Sequence, residues 1–206
     1  FPATLPTAYS LRAWGRIDTL APALANSLGL AVAASLLATG IVLLMVALNE
    51  KRQRPLLRLA IYAPLLIPQI SLVLGLQAVL VWFWLDGTWL AMLWIHALFI
   101  CPFSYLIIAP AAAAMDQRYI AVAASLGAGP GSRYLRVILP MLAPAITTAL
   151  FVGVSVSVAL YLPSLFAGGG RITTVTLEAV ALASGGSRQM AGVAAMLQLA
   201  IPLLIF

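Results

Sequence analysis

Charged residues, which a water-soluble protein carries mainly on its surface, are scarce in this 206-residue sequence. They make up 8% of the chain, with only five Asp and Glu, whereas 64% of the residues are hydrophobic. Because an ordinary soluble domain carries about 25% charged residues, this chain cannot cover itself with polar surface. The same composition excludes an intrinsically disordered chain, a disulfide-built secreted fold and a soluble enzyme. With a mean hydropathy of +1.09, the chain is predicted to be an integral membrane protein.

Reactive side chains are equally scarce, with one histidine, His96, and one cysteine, Cys101. A zinc site or a catalytic triad needs partner residues that His96 lacks, and no Gly-Lys-Ser/Thr loop is present to bind ATP. Cys101 lies inside an apolar run and is expected to serve packing, while His96 is expected to hydrogen-bond to a neighbouring helix. The chain is therefore predicted to be no enzyme and to hold no metal or cofactor of its own.

Five segments contain no formally charged residue and are long enough to cross a bilayer, namely residues 22–48, 59–85, 87–115, 137–170 and 189–206. About 20 residues of α-helix cross roughly 30 Å of hydrocarbon. Runs such as LLATGIVLLMVAL are apolar on every side, which indicates helices rather than the alternating strands of a membrane barrel. The predicted fold is all-α, a polytopic membrane helix bundle of about five spans.

Basic residues fall unequally on the two sides of these spans. Seven are predicted on one side: Lys51, Arg52, Arg54, Arg58, Arg118, Arg133 and Arg136. Four are predicted on the other: Arg12, Arg16, Arg171 and Arg188. Because Lys and Arg accumulate in cytoplasmic loops, the first side is predicted to be cytoplasmic. Topology thus accounts for the net charge of +6, and no nucleic-acid partner is expected.

Both ends of the sequence look like interior parts of a longer chain. The sequence begins with Phe1 rather than Met, its first 21 residues lack the pattern of a signal peptide, and the last apolar run continues to Phe206. We expect residues 1–21 to be an extracytoplasmic lead-in segment and residues 22–206 to be the membrane domain, together a fragment of a longer protein.

A few polar residues interrupt the predicted spans. The candidates for a solute path are Gln69, Ser71, Gln77, Ser155 and Tyr161. The alternative is that these residues hydrogen-bond between helices, which is the more frequent role of polar residues in membrane helices. Prolines within the spans, such as Pro64, Pro68 and Pro163, are either ordinary kinks or bends that shape a cavity. Both interpretations stay open at this point.

The predicted cytoplasmic loop 116–144 is longer than a simple connection and has its own helical pattern. Residues 119–126 favour a short helix with Asp116 or a neighbouring residue as its N-cap. The glycine-rich stretch 127–131 forms a turn, and Pro130 can begin the next helix. In that helix Arg133 and Arg136, at spacing i, i+3, would share one face. Two short helices joined at a glycine elbow are therefore predicted.

This loop resembles the cytoplasmic signature of the permease subunits of binding-protein-dependent ABC importers. The family pattern is Glu-Ala-Ala, three residues, Gly, nine residues, Ile, one residue, Leu-Pro. The members that match it here, including Val137 in place of Ile, are Ala123, Gly127, Val137, Leu139 and Pro140. The acidic position falls on Ala121, which departs from the pattern. Residues 26–28, 94–103 and 167–178 and Asp116 look like the same family, whose fused iron, thiamine, phosphonate and polyamine branches are the most similar.

The resemblance implies a type I importer permease in the bacterial inner membrane. In that family two permease domains, fused or separate, enclose the solute path, and an extracytoplasmic solute-binding protein delivers the solute. A dimer of ABC ATPase subunits binds and hydrolyses ATP with Mg²⁺. The elbow would dock on an ATPase subunit, with Gly127 supplying a turn that a side chain would block and Pro140 starting the fourth span. Arg133 or Arg136 would add polar contacts, unless they serve topology alone.

The alternative function is that of a stand-alone secondary carrier of a small solute. The spans contain no acidic residue to carry protons, and the sequence shows no internal repeat, so this alternative is disfavoured. A membrane anchor without a solute path would not need an organised cytoplasmic elbow. The sequence does not indicate which substrate is transported.

Overall fold

A computed structural model describes residues 11–48, 55–185 and 187–205 of the chain, and every regular element in these residues is a helix. A 3₁₀-helical segment, Arg12–Leu20, leads into the first long helix. The α-helices are α1 (Ala21–Leu48), α2 (Pro55–Leu66), α3 (Gln69–Trp82), α4 (Trp89–Ala113), α5 (Gln117–Ser125), α6 (Pro130–Arg133), α7 (Leu139–Met141), α8 (Ala143–Ala159), α9 (Tyr161–Gly168), α10 (Val175–Ser184) and α11 (Arg188–Ile205). A π-helical turn, Tyr134–Ile138, joins α6 to α7. The all-α prediction is confirmed.

The five apolar runs correspond to α1, α2 with α3, α4, α8 with α9, and α11. Judged by length and apolarity, α1 and α4 can each cross a membrane alone, and the number rises to four when each bent helix pair counts as one span. The second run bends by 109° between α2 and α3, and α8 begins with a 68° bend after α7. The fourth run breaks again at Leu160, whose ψ of 98° is not helical. Two of the five predicted spans are therefore broken rather than continuous.

Helices α1, α4 and α8 form the centre of the bundle. Small side chains such as Ala34 and Ala38 of α1 and Ala97 of α4 are fully buried where these helices meet. At Gly153 of α8 an added Cβ would lie 2.8 Å from the Ser35 Oγ and 3.0 Å from a methyl carbon of Ile100. Small residues thus allow close approach of the helices, which is how membrane helices gain packing energy without a hydrophobic driving force.

Two described basic residues from the two predicted groups, Arg58 and Arg171, lie at different ends of the bundle. At the end predicted to be cytoplasmic, Arg58 and Tyr134 line a cavity of about 350 Å³ with the last turns of α1 and α4. At the opposite end, the Gly87 N–H donates to the Ala167 carbonyl at 2.9 Å, and the Arg171 side chain lies against Gly87. Lys51, Arg52 and Arg54 lie outside the described residues.

The part of the lead-in that is described packs against the first turns of α11. Its 3₁₀-helical segment bends at Arg16 and buries Ala13 and Leu20 against Met190 and Val193 of α11. Residues 1–10 lie outside the described part, so the boundary predicted at residue 21 stays a prediction.

Candidate functional site

The glycine elbow on the cytoplasmic side has the local structure that its sequence predicts. The Asp116 Oδ1 accepts a hydrogen bond from the Arg118 N–H at 2.9 Å and caps α5. At the other end of α5, the Gly127 N–H donates to the Ala124 carbonyl and the Ala128 N–H donates to the Ala123 carbonyl, both at 3.0 Å. This pair of bonds is a Schellman motif, which needs a left-handed residue after the helix. Gly127 provides it with φ +81°.

Position 127 was expected to require glycine because a side chain would block the turn, but the structure gives a different reason. A Cβ added to Gly127 would meet no atom of this chain within 4 Å, so a side chain is not blocked within the domain. The requirement is conformational, because an L-residue with a Cβ is strained at positive φ. Any further intolerance of a side chain here must come from a partner that covers the elbow.

The second half of the elbow begins at Pro130, as predicted, and continues through the π-helical turn into α7. The π-helical turn has more residues per turn than an α-helix, so the spacing i, i+3 does not by itself place Arg133 and Arg136 on one face here. Arg133 is half-buried and Arg136 is exposed. Pro140 lies within α7, and the fourth span starts after the bend at Leu142 rather than at Pro140. Val137 and Leu139 are half-buried beside them.

The elbow exposes apolar side chains on the cytoplasmic side of the bundle. Within α5, α6 and the π-helical turn no residue is buried, and the most exposed large apolar side chains are Tyr119, Val122, Leu126 and Leu135. Leu126, at the tip of the elbow, is 82% exposed. Ala121, at the position where the family pattern has an acid, is exposed as well. Exposed apolar patches mark sites where a protein contacts a partner or a membrane.

A groove of about 620 Å³ lies where the two broken spans come together. One wall is the bend between α2 and α3, residues 64–69, and the other is the end of α8, including Ala159 and Leu160. Phe99 and Phe103 of α4 complete the lining. Of the five candidates for a solute path, the structure places only Gln69 in this lining. The backbone breaks, rather than a row of polar side chains, define the groove.

The other four candidates have different surroundings. Ser71 is exposed, and Tyr161 is half-buried at the start of α9. The Ser155 hydroxyl donates to the Phe151 carbonyl one turn earlier at 2.9 Å. The Gln77 Oε1 is buried and accepts no hydrogen bond from the described residues. None of these four lines the groove in the described part of the chain.

A polar cluster at the break between α8 and α9 was not predicted as a unit. His96 of α4 is 1% exposed and lies between the hydroxyls of Ser157 and Ser164. The predicted hydrogen bond from His96 to a neighbouring helix is present, but it reaches two helices. Ser164 and Thr176 were not among the polar residues singled out from the sequence, although Pro163 beside Ser164 indicated a bend.

An all-helical bundle with broken apolar spans around a groove, and with an exposed elbow at one end, is the architecture of a membrane transport domain. The family model for the inner membrane component of binding-protein-dependent transport systems matches residues 37–206. The chain therefore belongs to the family of inner membrane permease components of binding-protein-dependent import systems.

Two known transport proteins are similar to this chain, one in sequence and one in fold. The chain is 36% identical over 184 residues, 89% of its length, to the inner membrane ABC transporter permease protein YnjC of Escherichia coli (strain K12). It spans 35% of that relative's length. A crystal structure of a bacterial ABC transporter involved in the import of the acidic polysaccharide alginate matches 97% of this chain and 81% of the chain compared, with a TM-score of 0.69 and 17% identity. That likeness shows the fold, and the family places the chain in the inner membrane.

Proposed function

We propose that this chain is one permease domain of an ABC importer. It forms half of the solute path with a second permease domain and couples ATP hydrolysis in a partner to alternating access. ATP and Mg²⁺ are bound by a dimer of ATPase subunits, and an extracytoplasmic binding protein delivers the solute. The family membership supports the class of transporter, and the particular partners are part of the proposal.

The exposed elbow is the observation that carries this proposal. Leu126 and Val122 are apolar and largely exposed at the cytoplasmic end, where water rather than lipid would otherwise surround them. Leaving them in water costs about 25 cal/mol for each Å² of apolar surface. A groove on a soluble ATPase subunit would bury this surface, and Arg136, exposed beside it, can make a polar contact at the rim.

The elbow is connected to the membrane helices through its second half. The Tyr134 hydroxyl donates to the Leu43 carbonyl of α1 at 3.2 Å. A tyrosine with its ordinary pKa of about 10 already keeps this proton at neutral pH, and burial raises the pKa of Tyr134 further. Ile138 and Leu142 line the same cavity as the last turns of α1 and α4. A rigid-body movement of the elbow would therefore be transmitted to the central helices.

The groove at the two broken spans is the candidate solute path. Non-helical backbone at membrane depth is tolerated where it lines a cavity, and both walls of the groove contain such backbone. Broken helices of this kind surround the solute sites of other transporters. Gln69 is the one predicted path residue in its lining.

The test is to purify the full-length parent chain from membranes in mild detergent and to identify the proteins that accompany it by mass spectrometry. We expect a stoichiometric P-loop ATPase, which a Leu126→Glu variant should lose while the chain itself stays in the membrane. Gly131→Ala is the matched control, because a Cβ at Gly131 meets nothing within 4 Å and the position is helical. Purification without any ATPase in several detergents would contradict the proposal and favour a stand-alone carrier.

A further inference from the structure

His96 connects the two sides of the break between α8 and α9. Its Nδ1 lies 2.8 Å from the Ser157 Oγ on α8, and its Nε2 lies 3.0 Å from the Ser164 Oγ on α9. All three side chains are buried. Because Leu160, where the helix breaks, lies between Ser157 and Ser164 in the sequence, the imidazole bridges the break from the neighbouring helix α4.

The hydrogen bonds allow only one arrangement of protons. The Ser164 hydroxyl donates to the Leu160 carbonyl at 2.6 Å, so it can only accept from His96, and the Nε2 of the imidazole must carry a proton. A neutral imidazole then has an unprotonated Nδ1, which accepts from the Ser157 hydroxyl. The result is a directed chain from Ser157 through His96 and Ser164 to the Leu160 carbonyl. The hydrogens on Ser157, His96 and Ser164 are thus each donated to an acceptor.

Side chains from α10 and α11 satisfy one further carbonyl at the break. The Val158 carbonyl accepts a hydrogen bond from the Thr176 hydroxyl and one from the Gln198 amide at 3.5 Å. Pro163 has no N–H to donate to the Ala159 carbonyl, four residues earlier, and its ring disfavours a continuous helix there. Ala159 and Leu160 at the same break line the groove. The polar side chains therefore hold the backbone that forms one wall of the groove.

We propose that His96 is a positioning residue for the solute path, because it fixes the angle between α8 and α9 and so the shape of the groove wall at Ala159 and Leu160. This inference rests on the proposed function only in taking the groove as the path. The chemistry required at position 96 is a neutral group with one donor and one acceptor, spaced as they are in an imidazole. A purely packing role would require only the side-chain volume.

The test measures how accessible the groove wall is to a thiol reagent. In the full-length parent chain, Cys101→Ala removes the native thiol of this domain and Leu160→Cys adds one to the groove wall, at a position that is buried in the wild type. Membranes without ATP are treated with N-ethylmaleimide, and the modification of the peptide that contains position 160 is followed over time by mass spectrometry. The variants compared are His96→Leu, which keeps bulk without polarity, and His96→Gln, whose amide offers one donor and one acceptor.

Two controls separate positioning from general loosening. Ser104 lies on α4, as His96 does, and its buried hydroxyl has no hydrogen-bond partner in the described residues. The Ser104→Ala variant should therefore leave the labelling rate unchanged. Gly153→Ala crowds the contact of α8 with α1 and α4 without touching the break. It should lower the melting temperature of the purified protein but leave the labelling rate at position 160 unchanged.

With His96→Leu we expect labelling to become roughly tenfold faster, since two hydrogen bonds across the break are lost, while His96→Gln stays close to wild type. Labelling of His96→Leu at the wild-type rate would overturn the inference. Faster labelling in the Gly153→Ala variant would also overturn the inference, because faster labelling in His96→Leu would then reflect general loosening of the bundle. The measurement uses no ATPase, so a failure of the proposed coupling and a failure of this inference give separate results.

Discussion

Substitution of Gly127 tests whether the elbow is held by its backbone conformation. Position 127 ends α5 at φ +81°, and an L-side chain costs about 1–2 kcal/mol in the left-handed region. Because an added Cβ meets no atom of this chain, no steric term adds to that cost. No residue of α5 is buried, so the strain should distort the elbow without unfolding the membrane bundle.

The size of the effect follows from that strain. If the ATPase binds the elbow only in its present conformation, Gly127→Ala should weaken retention of the ATPase about 5- to 30-fold, the factor that corresponds to 1–2 kcal/mol. Gly127→Asn should lose less, since Asn tolerates positive φ better than Ala. Gly127→Asp has nearly the shape of Asn, so any additional loss measures the charge placed in the interface.

The assay is the amount of ATPase that remains bound to the purified permease as the ATPase is diluted, with membrane accumulation of each variant recorded beside it. Gly131→Ala, in helical backbone with open space around it, is the matched control and should behave as wild type. The conformational argument is wrong if Gly127→Ala retains the ATPase fully. It is also wrong if Gly131→Ala loses the ATPase to the same extent.

Three further substitutions have outcomes fixed by the structure. Gly153→Ala should destabilise the bundle by about 1–3 kcal/mol through overpacking, whereas Gly40→Ala, with nothing within 4 Å of its Cβ, should not, as thermal unfolding in detergent would show. Asp116→Ala should destabilise α5 by about 1 kcal/mol through loss of its N-cap and Asp116→Asn by less, measured by hydrogen exchange of the first turn of α5. Leu126→Glu should abolish co-purification of the ATPase without reducing membrane accumulation, and unchanged co-purification would argue against the apolar tip as the contact.

The elbow could be predicted from sequence because its signals are local. Asp116 precedes α5 by one residue, Gly127 follows its last turn, and Pro130 begins α6, so each signal acts on neighbouring backbone. The π-helical turn after Arg133 could not be predicted in this way. Residues of this turn contact distant parts of the chain, Tyr134 through a hydrogen bond to α1 and Ile138 in the cavity beside the last turns of α1 and α4, and no local sequence signal indicates such contacts.

The groove was harder to predict from the sequence than the elbow. Hydropathy measures the transfer of residues into lipid and does not indicate where an apolar segment bends. Residues 59–85 are apolar throughout, yet the chain bends by 109° between α2 and α3. Pro64 and Pro68 indicated a kink but not its angle. Which polar side chains face the groove depends on helix rotation after the bend, and so only Gln69 among the candidates lines it.

Polar residues within the spans were open to two interpretations, a solute path or hydrogen bonds between helices, and at the break between α8 and α9 the two roles are compatible. Ser164 and Thr176 hydrogen-bond to backbone carbonyls at the break, which is a structural role. A break in a membrane helix persists only if its freed backbone groups find such partners. Because the break at Leu160 forms one wall of the groove, the residues that satisfy it also determine the shape of the candidate path. Substituting them should therefore alter the groove before it unfolds the bundle.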